Sequence, residues 1–170
     1  MTARRWCRRV RLGLAISNAL LLAGAAVAAD ARLVARDALV YDRKTDLTWQ
    51  RCSYGQRWDA ATARCSGEAL RLGFDEAKRL ERDGWRVPRL DELVSIMVRG
   101  AVPVIDNEAF PDTPATYFWA TDNRDAGASW YVSFEDGRTN HYYPPRTNRD
   151  RVRFVRSGPW PRDSGPRPPR

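Results

Sequence analysis

"GWRVPRLDELVSIM", Gly84 to Met97, sets Trp, Arg and Pro ahead of a run with helical spacing. Pro88 breaks whatever precedes it and suits a helix start, where its missing N–H would lack a partner anyway. Asp91 and Glu92 follow at the positive end of the helix dipole. Leu90, Leu93, Val94 and Met97 recur at i, i+3, i+4 and i+7, which is one apolar helix face. The stretch predicts a helix laid on a core, with Trp85 packed beneath its start.

The segments on either side read differently. Upstream, "FDEAKRLERDG" (Phe74 to Gly84) is a second helix, with Ala77 and Leu80 on one face, Asp75 and Glu76 in the first turn and Gly84 as its stop. "LVYDRKTDLTWQRC" (Leu39 to Cys52) is a hairpin. Leu39 and Tyr41 alternate in one arm and Leu47 and Trp49 in the other, around a polar turn at Asp42–Asp46. "SYGQRWDAATARCSG" is a loop. Downstream, "GAVPVIDNEAFPDTPAT" holds three prolines and several Asx residues and reads as a long ordered loop. Three strand-like runs close the chain: "YFWAT" from Tyr117, "SWYVSFEDG" from Ser129 and "RVRFVR" from Arg151. Trp130, Val132 and Phe134 alternate with polar neighbours up to an Asp136-Gly137 turn, and Val152 and Phe154 alternate with Arg151 and Arg153. An early hairpin, two helices and late strands make an α+β domain.

The ends have their own character. Arg4, Arg5, Arg8, Arg9 and Arg11 form a basic head, and "LGLAISNALLLAGAAVA" ends in Ala26-Val27-Ala28. That pattern is a signal peptide over residues 1–28, and no later run is long and apolar enough to span a bilayer. The expected destination is the bacterial periplasm or the outside of the cell. The chain carries +8 in all; removing the five arginines of the head leaves +3. The Pro-rich tail, residues 157–170, reads as disordered and holds two more net positive charges, so residues 29–156 carry only +1. Basicity of the whole chain therefore gives no support to nucleic-acid binding. Cys52 and Cys65 remain after the signal, and an isolated pair in an oxidising compartment forms a structural disulfide. A zinc or redox site would need CxxC spacing or more ligands, and His141 is the sole histidine.

Charge concentrates late. Arg138, Arg146, Arg149, Arg151, Arg153 and Arg156 face only Asp150, a local net of +5, with His141, Tyr142 and Tyr143 nearby. Arginine's fork pairs with sulfate and phosphate, and tyrosine stacks on sugar faces. The competing reading is an ordinary solvated face. Asp106, Glu108, Asp112, Asp122 and Asp125 offer oxygen ligands, but without the order of a calcium loop they are read as turn formers. No nucleophile context accompanies the lone histidine, and no Gly-rich phosphate loop occurs. Trp49, Trp58, Trp85, Trp119 and Trp130 are read as core.

Four blocks in order resemble the Lcl C-terminal domain family, named for the C-terminal domain of a collagen-like bacterial adhesin. They are "VYDRKTDLTWQRC", "GWRVPRLDEL", "VIDNEAFPDTPATYFWATD" and "WYVSFEDG" with "VRFVR", spanning about residues 39–156. On that resemblance Trp49, Trp85, Pro88, Leu93, Phe110, Pro111, Trp119, Trp130 and Phe134 are the family-motif core of a domain over residues 29–156. Asp46 stands where the family usually has Gly, and Arg89 where it usually has Thr. The resemblance implies a single compact C-type-lectin-like domain. Its named adhesin binds sulfated glycosaminoglycans, whereas the calcium-dependent lectin motifs are absent here. The expected function is an exported, non-catalytic binding module for an anionic glycan or cell-surface polysaccharide, or for another envelope protein. It needs no cofactor or metal. The candidate site is Arg138, His141, Tyr142, Tyr143, Arg146, Arg149, Arg151 and Arg153. The alternatives are an envelope carbohydrate-active enzyme using loop carboxylates and a structural subunit of an envelope assembly.

Overall fold

A polar turn between two apolar runs builds the first sheet. In the computed structural model, which describes residues 31–125, 128–141 and 148–160, β2 (Leu39–Asp42) pairs antiparallel with β3 (Leu47–Gln50), Val40 opposite Trp49. Asp46 sits in the turn at φ 53°, a left-handed position its short polar side chain tolerates. β1 (Leu33–Arg36) flanks β2 and β9 (Val155–Ser157) flanks β3, in the order β1-β2-β3-β9. Alternation along the strands sends Val40, Leu47, Trp49 and Val155 into the core. Leu39 and Tyr41, the apolar pair expected to mark that arm, fall on the outer face, because pairing with Trp49 turns Val40 inward.

Asp42 shares the inner face and is fully buried. Arg32 donates two hydrogen bonds to its carboxylate, at 2.9 and 2.5 Å, which ties β1 to the hairpin turn. Burial pushes the Asp42 carboxyl upward. The hydrogen bonds from Arg32 and from the Lys44 amide outweigh that and hold it below the usual carboxylate range.

The disulfide joins Cys52 to Cys65, with Cα atoms 5.6 Å apart. The loop it closes contains a small ribbon, β4 (Arg57–Asp59) against β5 (Arg64–Ser66). Both helices are shorter than their spacing suggests: α1 is Phe74–Arg79 and α2 is Leu90–Ser95. The first stops well before Gly84, because Asp83 and Gly84 both take positive φ, 52° and 79°. That pair makes a tight hairpin turn, across which Arg82 and Trp85 exchange two backbone hydrogen bonds. At each helix start the third-residue glutamate accepts the cap amide, Glu76 from Gly73 and Glu92 from Arg89. Arg89 in place of Thr thus leaves half of a capping box intact. Leu93 and Ile96 of the second helix region are buried, with Leu90 and Met97 packed beside them. Val94 is 39% exposed. The chain leaves helical geometry after Ser95, and Ile96 takes the inward position that the spacing assigned to Val94.

β6 (Tyr117–Thr121), β7 (Ser129–Ser133) and β8 (Thr139–His141) form the second sheet in that order. One face sends Phe118, Ala120 and Val132 into the first core with Phe134. Trp119, on the other face, joins Phe74, Ala77, Val87, Val152 and Phe154 in a second cluster. "RVRFVR" is not one alternating strand. Arg151 bridges to Phe118 beside β6, Val155 pairs with Trp49 in β3, and Val152, Arg153, Phe154 and Val155 are all buried. A segment crossing between two sheets is packed on both sides, so the period of two disappears. Ser157 completes β9, and the next residues through Trp160 are placed against the hairpin. The described residues make a small α+β domain of two main sheets, one ribbon and two short helices. Among the described residues no helix is long and apolar enough to cross a membrane.

Candidate binding surface

The late arginines among the described residues do not form one ribbon. Arg153 is fully buried. Its Nη1 donates to the carbonyls of Gln50, at 2.8 Å, and Arg51; its Nη2 donates to the hydroxyls of Ser53, at 3.3 Å, and Thr113, at 2.6 Å. The guanidinium lies 4.8 Å from the centre of the Phe110 ring. Burial pulls its pKa down to about 9, which leaves it a cation at neutral pH. Among the described residues no carboxylate is one of its partners. Arg153 is a staple between the end of β3, the disulfide loop and the Phe110–Thr113 loop, and it faces no solvent.

The other members scatter. Arg156 lies 5.0 Å over the Trp85 ring. Arg151 is half-buried beside β6. Arg149 is exposed, but its guanidinium meets Glu76 at 3.0 Å and the Arg71 carbonyl at 3.2 Å, while Arg71 donates back to the Arg149 carbonyl at 2.8 Å. The Gly73 amide and then Arg149 hold the Glu76 carboxyl below its usual range. Tyr142, Tyr143 and Arg146 lie outside the described residues. His141 is exposed on β8, its ring 5.4 Å from Trp130.

Register decides which of the remaining groups share a face. Tyr117 lies opposite Ser133, Trp119 opposite Tyr131, and Tyr131 opposite Asn140. The Ser133 amide donates to the Arg138 carbonyl, which carries the same register one step further. Arg138, Asn140, Tyr131 and Tyr117 therefore stand on one face of the sheet, and His141 and Trp130 on the other. Tyr117 and Tyr131 meet edge to face with ring centres 5.1 Å apart, and Tyr117 is 42% exposed. Arg138 is exposed at 83%, with Asp136 at 3.2 Å. Sequence reading singled out Arg138 but missed Tyr117, Tyr131 and Asn140, which only become neighbours once "YFWAT" and "SWYVS" are paired.

The loop acids serve turns. Asp106 accepts the Glu108 and Ala109 amides, and Asp122 those of Arg124 and Asp125. Asp112 accepts the Cys65 amide at 2.8 Å and pairs with Arg64. Among the described residues no three His, Cys, Asp or Glu side chains gather as a metal-ligand set. Of the family-motif residues, Trp49, Leu93, Phe110, Trp119 and Phe134 are fully buried, Pro88 and Pro111 are buried, and Trp85 and Trp130 are half-buried. Trp58 is half-buried as well, with the Arg51 guanidinium 3.8 Å over its ring.

The sequence model of the Lcl C-terminal domain family matches residues 38–156. No curated protein and no solved structure matches the chain.

Proposed function

Since the chain belongs to the Lcl C-terminal domain family, we propose that it is an exported, non-catalytic binding module for an anionic glycan or cell-surface polysaccharide. The basic, apolar N-terminal segment and the paired cysteines support export to the periplasm or beyond. The order of elements, with helices ahead of a long loop and closing strands, supports a C-type-lectin-like architecture. The observation that carries the reading is the face of the second sheet. Two tyrosines there present an aromatic surface for a sugar ring, with an amide from Asn140 and the unburied guanidinium of Arg138 alongside.

The test is retention of the full mature chain on a sulfated-polysaccharide column across a salt gradient. Tyr117→Ala, Tyr131→Ala and Arg138→Ala are each expected to elute at lower salt than the wild type, with the far-UV circular dichroism unchanged. The charge lost in Arg138→Ala also weakens the dependence on salt. Wild-type elution of all three variants, or early elution of the wild type itself, refutes the proposal.

A further inference from the structure

The outer face of the first sheet carries a contact that lies beyond the family-matched residues. The match ends at Arg156, and β9 ends at Ser157. Gly158 then takes φ 79°, a left-handed conformation that side chains disfavour, and turns the chain back across the β2–β3 hairpin. Its amide donates to the Asp46 carbonyl at 2.8 Å, and its carbonyl accepts from Thr48 Oγ1 at 2.6 Å. Two residues on, Trp160 sets its ring edge-on to Tyr41, with centres 5.8 Å apart and planes at 72°. The Tyr41 hydroxyl donates to Asp46 at 2.7 Å, which holds that seat in place.

Tyr41 and Thr48 are register partners, so these anchors occupy adjoining positions on one surface. Thr48 points away from the core and yet is fully buried, as expected for a hydroxyl closed over by a bound segment. Pro159, between the two anchors, has a fixed φ and no N–H to satisfy. A glycine read by backbone, a proline and an aromatic in a seat together have the chemistry of a peptide held on a sheet surface.

We propose that the outer face of the β2–β3 hairpin is a peptide-docking site whose resident is the chain's own Gly158–Trp160 segment, an intramolecular latch. A segment of the same Gly-Pro-aromatic chemistry is the ligand that the vacated face takes.

Hydrogen exchange on the full chain, with and without Trp160→Ala, reads the latch at the Gly158 amide. Loss of an edge-to-face aromatic contact and its buried area is expected to speed exchange there about tenfold, with amides of β6 and β7 unchanged. A synthetic peptide of residues 157–163, titrated calorimetrically, is expected to bind the Trp160→Ala chain and not the wild type, whose face is occupied. The same peptide with Ala for Trp is expected to bind neither. Unchanged exchange at Gly158 in the variant overturns the proposal. So does peptide binding that is equal in both chains, or absent from a folded variant. A wild-type mass of two chains that falls to one in Trp160→Ala also overturns it, because the segment would then pass between copies.

Discussion

Replacing Arg153 with Ala removes the donors from two part-buried carbonyls, Gln50 and Arg51, and from the buried hydroxyls of Ser53 and Thr113. The hydroxyls can rotate, and Thr113 already donates to the Phe110 carbonyl at 2.8 Å. The carbonyls cannot. A fully buried acceptor left without a partner costs about 1–3 kcal/mol, so these two, partly buried, together cost about 2–4 kcal/mol. The emptied volume adds about 24 cal/mol per Å³ of residual cavity. Relief from burying a cation works in the opposite direction and is itself worth several kcal/mol. The net expectation is a loss of about 3–4 kcal/mol, a large part of the roughly 5–15 kcal/mol that holds a domain folded. Arg153→Met, which keeps the stem and drops the charge, should lose less. Arg149→Ala, at an exposed pair, should lose at most about 1 kcal/mol. Urea unfolding of the oxidised protein, followed by tryptophan fluorescence, measures all three. The reasoning is refuted if Arg153→Ala stays within about 1 kcal/mol of wild type while its elution from the sulfated-polysaccharide column moves. Arg153 would then be facing a ligand and not the interior.

Acid should weaken the fold through Asp42 and Glu92. Burial pushes the Glu92 carboxyl up, but two 2.7 Å bonds from Arg86 and one from the Arg89 amide hold it below its ordinary value, as Arg32 does for Asp42. Their folded-state values lie below their unfolded ones. The stabilisation is thus present above the unfolded pKa of about 4 and is lost as pH falls through the depressed folded values. Tm measured from pH 6 down to pH 2 should fall, and Glu92→Gln should flatten that fall while costing about 2 kcal/mol at neutral pH; a Tm independent of pH contradicts the argument. Removing the disulfide as Cys52→Ala/Cys65→Ala, which opens a loop of separation 13, should cost about 3 kcal/mol by chemical denaturation. At Gly84 an added Cβ meets nothing within 4 Å, so Gly84→Ala isolates the backbone strain of φ 79° and should cost about 1–2 kcal/mol in the same assay.

Much of the frame was legible from local pattern. The hairpin at Leu39–Gln50, the helix after Pro88, the strands at Tyr117 and Ser129 and the pairing of Cys52 with Cys65 all follow from spacing, turn residues or cysteine count. Asp46 does what a residue in a glycine position must do. Boundaries were harder, since Asp83 with Gly84 can end a helix or make a hairpin turn, and the backbone bonds between Arg82 and Trp85 settle it. β1 and β8 were not foreseen, because three or four residues at a sheet edge carry too little pattern.

What local pattern determined, then, was which segments are extended or helical and which apolar residues are available to a core. What only the tertiary structure decided was which way the polar groups of the closing segment point. Arg138 and Arg153 are alike in sequence, each in a run of mixed polar and apolar residues. One lies exposed beside a sheet edge, and the other runs between two sheets where four carbonyl and hydroxyl oxygens are waiting. Those oxygens come from residues 40 to 103 positions away in the chain. A side chain's periodicity reports its own strand, whereas its burial depends on what distant segments bring to meet it.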